Sequence, residues 1–365
     1  MRGPSPERGP KAGRTLNERE DPHGHARARA RRRWLPAGLP ALLALAIAVS
    51  ARSQSTTPIV VKYGAPTATP DITTVSVHLA IEQGLFKREG LEVQTTRYPG
   101  STTAVRALLS GDADVVETGG DTALLARENG APIEILLSPV ARGTDVVVAR
   151  SSVASLADMR GKRYAVSAPG SPGDVLGRLL FQKNGVDPAQ IQFVALGSPA
   201  DRIKALLADK VDATSATVLV MEPVLEAIAK GEVKVLVSLG DQFTAVPLSY
   251  MVATESAVKT RRDALGRFVR AEIAGLRWAQ AHPDAAARIA VKYIRETPLP
   301  VLTEGMRQMA RMKVYGVDGG ISERGLQETQ QFLKDMGKLK NVVKPADLAA
   351  LDLLQEALKP LGPAS

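Results

Sequence analysis

From Ile59 onward the chain alternates short β-branched runs with stretches whose apolar residues return every three or four positions. Short apolar runs bounded by turn residues predict strands, and the three-to-four spacing predicts helices. The first series reads strand 59–64, helix 73–83 ended by Gly84, strand 91–95, helix 103–110, strand 113–118, helix 122–128 and strand 133–138. A second series of the same style starts near Asp145, with strands 146–149, 163–166, 192–195, 213–216 and 233–238. Its helices span 174–184, 200–207 and 223–230, and Gly185 stands where the first of them needs a left-handed residue. After a strand at 250–253 the pattern changes to long helices at 260–281, 283–294, 302–315 and 322–336.

Strands alternating with helices predict an α/β fold with mostly parallel sheets flanked by helices, here as two units in tandem. The helices that follow are too few and too mixed in pattern for a third domain, so they are expected to pack back on the first unit. Length agrees, because 365 residues exceed what one core comfortably holds. The expected division is an export signal with an unusually long basic n-region at 1–51, a first lobe of 59–144 plus 251–360, and a second lobe of 145–250.

The leader changes the reading of charge. Arg27-Ala-Arg-Ala-Arg-Arg-Arg-Trp34 precedes an apolar stretch from Leu35 to Val49, broken by Pro36 and Pro40, and then Ser50-Ala51. A basic n-region, a short apolar core and small residues make a cleavable secretory signal, with cleavage placed after Ala51. The apolar stretch is shorter than the roughly 20 residues that span a bilayer. Arg31-Arg32-Arg33-Trp34-Leu35 also resembles a twin-arginine signal, so the export route, general secretory or twin-arginine, stays open. Residues 1–26 show no apolar period and are assigned no element. Of the formal +9 charge, residues 1–51 hold ten Lys/Arg and four Asp/Glu, leaving 37 basic against 34 acidic residues in the body. With 4% aromatics and no run of arginines interleaved with aromatics, the body lacks a nucleic-acid footprint. The absence of cysteine excludes disulfides, thiolate metal sites, a cysteine nucleophile and a lipidated cysteine.

Ala80-Ile-Glu-Gln-Gly84-Leu-Phe86-Lys-Arg-Glu-Gly90-Leu91-Glu-Val93 resembles the opening signature of periplasmic solute-binding proteins of the nitrate/sulfonate/taurine ABC-transporter type, in which such a string joins the first helix to the second strand. Three further segments keep that family's order: 107–114, 156–166 and 205–213. The resemblance covers most of 59–285. It implies the type II periplasmic-binding-protein fold, a "Venus flytrap" of two lobes that close on a solute by a hinge. It implies a monomer that captures a small organic or anionic solute outside the inner membrane, with ABC permease and ATPase subunits as partners. No cofactor and no metal are expected. Asp112, Asp114, Asp209 and Asp212 recur at helix-to-strand turns, once per unit, and are read as structural acids that stay solvated.

In open α/β sheets ligands bind beyond the carboxyl ends of strands, at helix N-termini. The candidates in the first lobe are therefore Ala65, Asp71, Gly100, Ser101, Thr102, Gly120 and Asp121; in the second they are Gly170, Ser171, Ser198 and Thr217. Arg142, near the first crossover, would pair with a carboxylate, sulfonate or phosphate. Ser101 and Ser171 equally read as plain N-caps, Gly119-Gly120 as a tight turn, Asp121 as a cap or an acceptor for an amine or hydroxyl, and His78 as a packed histidine. Tyr63, Tyr98 and Tyr250 are candidate stackers. A small acidic organic ligand is the expectation. The alternatives are a ligand-sensing subunit docking on a membrane receptor, and an enzyme on the same fold. The thiamine-precursor synthase of this fold class needs a Cys-rich motif that this chain lacks, and no nucleophile triad, paired-carboxylate or phosphate-loop motif stands out.

Overall fold

The computed structural model describes residues 57–68, 70–169, 171–217, 222–243 and 246–364. The leader and Gly170 lie outside the described residues. The first series forms β1 (Ile59–Ala65), α1 (Ser76–Glu82), α2 (Leu85–Arg88), β2 (Leu91–Arg97), α3 (Ser101–Ser110), β3 (Val115–Gly119), α4 (Gly120–Glu128) and β4 (Ile133–Leu137). The second forms β5 (Val146–Arg150), β6 (Arg163–Val166), α5 (Pro172–Lys183), β7 (Gln192–Ala195), α6 (Pro199–Leu207), β8 (Ala213–Ala216), α7 (Glu222–Ala229), β9 (Val233–Ser238) and the short α8 (Leu239–Gln242). Then come β10 (Ser249–Thr254), α9 (Glu255–Thr260), α10 (Arg262–Ala281), α11 (Pro283–Ala290), α12 (Leu299–Arg311), α13 (Glu323–Asp335), α14 (Pro345–Leu348) and α15 (Leu351–Leu358).

Two five-stranded sheets result, ordered β2-β1-β3-β10-β4 and β7-β6-β8-β5-β9. Each is mixed: β10 runs antiparallel to β3 and β4, and β5 runs antiparallel to β8 and β9. In both sheets the antiparallel strand is the one that the chain enters on crossing from the other sheet. Two crossing segments, 138–145 and 239–248, therefore join the sheets, and each sheet with its helices is a lobe.

The central strands β3 and β8 are buried almost throughout because both of their faces are covered. One face of the first sheet packs on α1, α2, α10, α11, α12 and α15, with Val61, Tyr63, Leu79 and Phe268 in the core. The other packs on α3, α4, α13 and α14, around Val116, Leu124, Tyr250 and Leu333. The helices after β10 thus return to the first lobe. The second sheet is covered likewise, by Tyr164, Phe181 and Met159 on one face and Ile203, Leu206 and Val224 on the other.

Of the four acids at the repeated turns, Asp112 and Asp209 are exposed as expected, but Asp114 and Asp212 are tied into the fold, which corrects the expectation for those two. Asp114 accepts the Lys62 amide at 2.8 Å and pairs with Arg261. Asp212 accepts the Arg163 amide at 2.9 Å and the Arg163 guanidinium at 3.0 Å. Each pins the turn entering one strand to its parallel neighbour, β1 or β6.

Candidate functional site

The crossing segments touch at two glycines. A Cβ on Gly240 would lie 2.3 Å from the Gly143 carbonyl oxygen, so only glycine permits that approach. Gly120 is similarly confined, its amide donating to the Leu248 carbonyl at 3.1 Å and a Cβ there falling 2.8 Å from the Pro247 oxygen. Gly120 therefore serves close approach of α4 to the second crossing segment.

Strand ends of the first lobe are stitched together. The Gly100 amide donates to the Pro66 carbonyl at 3.1 Å, and the Ser101 hydroxyl accepts the Gly119 amide at 3.0 Å. The competing reading of Ser101 as a plain N-cap does not hold. Instead Gly100, at φ 104°, occupies the cap position and the Ser101 side chain is free to bridge β2's loop to β3's. Thr102 is exposed, and Ala65 is the buried last residue of β1. Asp71 accepts the Thr73 and Thr74 amides at 2.8 and 3.1 Å, a turn that delays α1 to Ser76. Burial pushes the Asp121 carboxyl up, but the Lys338 ammonium at 2.9 Å and the Thr122 amide together hold it below its usual range.

In the second lobe Ser171 and Ser198 are N-caps, accepting the Asp174 amide at 3.4 Å and the Asp201 amide at 3.2 Å. Thr217 donates to the Asp145 carboxylate. Arg142 faces Asp241 at 3.7 Å across the two crossing segments. Tyr63 and Tyr250 are fully buried and so not available as cleft stackers, while Tyr98 packs over Gly64. His78 is buried against the Tyr293 ring at 4.3 Å; burial, aided by Arg97, lowers it to about 4.

Sequence reasoning missed a polar cluster beneath the mouth of the first lobe. Glu117, in the middle of β3, accepts the Tyr63 hydroxyl at 2.8 Å and the Ser249 hydroxyl at 2.7 Å. Burial pushes its carboxyl up to about 7 despite those two bonds. Glu272 of α10 is fully buried, faces Ser76, has no hydrogen bond of good geometry to either oxygen, and is pushed by burial up to about 8. An acid inside an otherwise apolar helix face was the available signal.

Three of the cavities among the described residues bear on the choice of site. One of about 460 Å³, lined by Arg142, Tyr250, Gln280 and Lys313, opens between the crossing segments and the chain after α12. Another, about 450 Å³, lies past the carboxyl ends of β1 and β2 beside Asp71, Arg97 and Arg295, with walls from the first lobe. The third, about 250 Å³, is smaller but is bounded by both lobes and both crossing segments. It meets Gly120 and Asp121 of α4, Thr144 and Asp145 of the first crossing, Phe243 of the second and Leu176 of α5. A hinge motion would reshape it, and of the cavities with walls from both lobes it is the one that also meets both crossing segments, so position outweighs size in choosing it as the site. Of the expected residues it gathers Gly120 and Asp121; Ser101 and Thr217 are each one hydrogen bond from a lining residue or its neighbour, whereas Ser198 stays with its own helix.

A profile described as "NMT1/THI5 like" matches residues 71–286. The chain belongs to that family. The putative binding protein YtlA of Bacillus subtilis is 23% identical over 84% of this chain and 93% of its own. Among solved structures, the periplasmic aliphatic sulphonate binding protein SsuA of Escherichia coli aligns with a TM-score of 0.61 at 17% identity, covering 82% of this chain and 99% of its own. The ligand binding component of an ABC-type import system from Staphylococcus aureus gives 0.58 at 17% identity over 82% and 99%. A cysteine-to-serine variant of DszB, which is described elsewhere as a desulfurization enzyme, gives 0.57 at 18% identity over 82% and 99%. These likenesses establish the periplasmic-binding-protein fold, which hosts both binding proteins and at least one enzyme; this chain contains no cysteine.

Proposed function

We propose that this chain is the extracytoplasmic substrate-binding subunit of an ABC importer, capturing a small organic solute between lobes 59–144 plus 251–360 and 145–250. The observation that carries the reading is the glycine crossing at Gly143 and Gly240, with a cavity beside it whose walls come from both lobes. Such a crossing allows the lobes to rotate about it while each sheet stays rigid. Names of relatives and structural neighbours, binding proteins and an import component among them, support the same reading. The basic leader supports export into the periplasm, with a mature chain starting at Arg52.

Two measurements test it. Small-angle scattering of the purified protein should show a smaller radius of gyration when a solute saturates it at one molecule per chain, with the solute recovered unchanged. Chemical conversion of the solute would favour the enzyme reading, and a chain retained in the cytoplasm with its leader intact would defeat export.

A further inference from the structure

We propose that the interlobe cavity selects a solute with a single-ring apolar body joined to an amine. This rests on the binding-protein reading and names the substrate class of that same site.

The walls are carbon on three sides. Leu176 reaches in from the second lobe, Phe243 and Val246 from the second crossing segment, and Phe332, Leu333 and Met336 from α13 of the first lobe. Phe243 and Phe332 meet at a ring separation of 5.4 Å, tilted by 46°, and so form a continuous aromatic wall across the hinge. An apolar surface facing an open cleft and rimmed by polar groups is the usual mark of a ligand site. The volume, about 250 Å³, exceeds the roughly 150 Å³ of a cavity that takes up benzene. It suits one substituted ring rather than a fused polycycle.

Charge then decides the polar end. Three ionisable side chains line the cavity, Asp121, Asp145 and Lys338. Lys338 is committed to Asp121 at 2.9 Å. Asp145 receives the Thr217 hydroxyl and has no cation at ion-pair distance among the described residues. The neighbouring stretches 218–221 and 244–245 carry no ionisable side chain in the sequence. The lining therefore holds one negative charge in excess. A carboxylate or sulfonate would meet repulsion from Asp145 or have to break the Asp121–Lys338 pair, whereas an ammonium supplies the partner that Asp145 lacks.

The test uses three probes, benzylamine, benzoate and taurine, on protein carrying ¹³C-methyl methionine, with the Met336 resonance assigned by Met336→Leu. The expected result is a saturable shift of Met336 with benzylamine and affinity for benzoate weaker by about tenfold or more, equivalent to about 1.4 kcal/mol. Asp145→Asn should bring the two ring probes together, and Leu176→Asn should weaken both alike. Benzoate or taurine binding at Met336 as tightly as benzylamine, or no response of Met336 to either ring probe at millimolar concentration, overturns the proposal. If taurine compacts the protein while Met336 stays still, the amine assignment falls and the binding-protein reading stands. If benzylamine moves Met336 without compaction, the converse holds.

Discussion

The Glu272→Gln variant should flatten the dependence of stability on pH. In the native chain Glu272 is pushed to about 8 and Glu117 to about 7, both from an ordinary value of 4.5 that the unfolded chain regains. Below that ordinary value both states are protonated and these groups contribute no slope. As pH rises above it, unfolding releases protons that the native state retains, so stability is lost progressively until the native carboxyls ionise near 7 and 8. Each proton is worth up to about 1.4 kcal/mol per pH unit, so between about pH 5 and pH 7 Glu272 alone accounts for roughly 2–3 kcal/mol of lost stability. His78 acts in the opposite sense. Its value, lowered to about 4, makes stability rise between that value and its ordinary 6.5, which masks part of the carboxyl effect in the wild-type profile alone. Subtracting the variant's profile from the wild type's removes the His78 contribution and leaves that of Glu272 together with its effect on the neighbouring Glu117. Glutamine matches the protonated carboxyl in shape and has no proton to release. Urea unfolding followed by far-ultraviolet circular dichroism at several pH values supplies the free energies. Two parallel profiles would refute the reasoning, because Glu272 would then be ionised in the native core.

The crossing glycine should be intolerant of any side chain: Gly240→Ala places a methyl 2.3 Å from the Gly143 oxygen and is expected to cost about 1–3 kcal/mol by thermal unfolding. It should also reduce the compaction seen by scattering at saturating solute, since the lobes can no longer pivot at that contact. Ser101→Ala removes the acceptor of the Gly119 amide, with an expected loss of about 0.5–1.5 kcal/mol in the same assay; an unchanged melting temperature would mean that water replaces the hydroxyl there.

Periodicity located most strands of the second sheet closely. Strands at 163–166, 192–195, 213–216 and 233–238 coincide with β6, β7, β8 and β9, because short β-branched runs between glycine-marked turns leave little alternative. The first helix was read three residues early, since nothing in a local apolar period reveals that Asp71 ties up the Thr73 and Thr74 amides. The helix expected over 260–281 is α10, beginning at Arg262, but the short α9 before it was not foreseen; the two are parted at Arg261, whose guanidinium turns back to Asp114 and to the Val60 carbonyl at 2.8 Å. The site was less legible than the fold. Strand ends pointed to Gly120 and Asp121, but the cavity's other walls come from Leu176, Phe243 and Phe332, remote positions that only tertiary structure brings together. Lys338, which neutralises Asp121, lies 217 residues from it in sequence.

What the strand ends offer a solute follows from how their hydrogen bonds are already used. Ser101, Ser171 and Ser198 accept backbone amides of their own lobe, and Asp71 is occupied by its turn. Each seryl hydroxyl keeps one proton to donate, except that Ser198 gives its own to Asp201 at 2.6 Å. A strongly polar solute would thus trade bonds with water and with existing caps for little net gain. Covering the carbon wall formed by Leu176, Phe243 and Phe332 has no such competitor, and each 100 Å² of apolar surface removed from water contributes about 2.5 kcal/mol before the cost of ordering. Closure about Gly143 and Gly240 brings that wall together from two lobes, so the apolar body of the solute, held between them, supplies the differential contact that makes the closed state the favoured one.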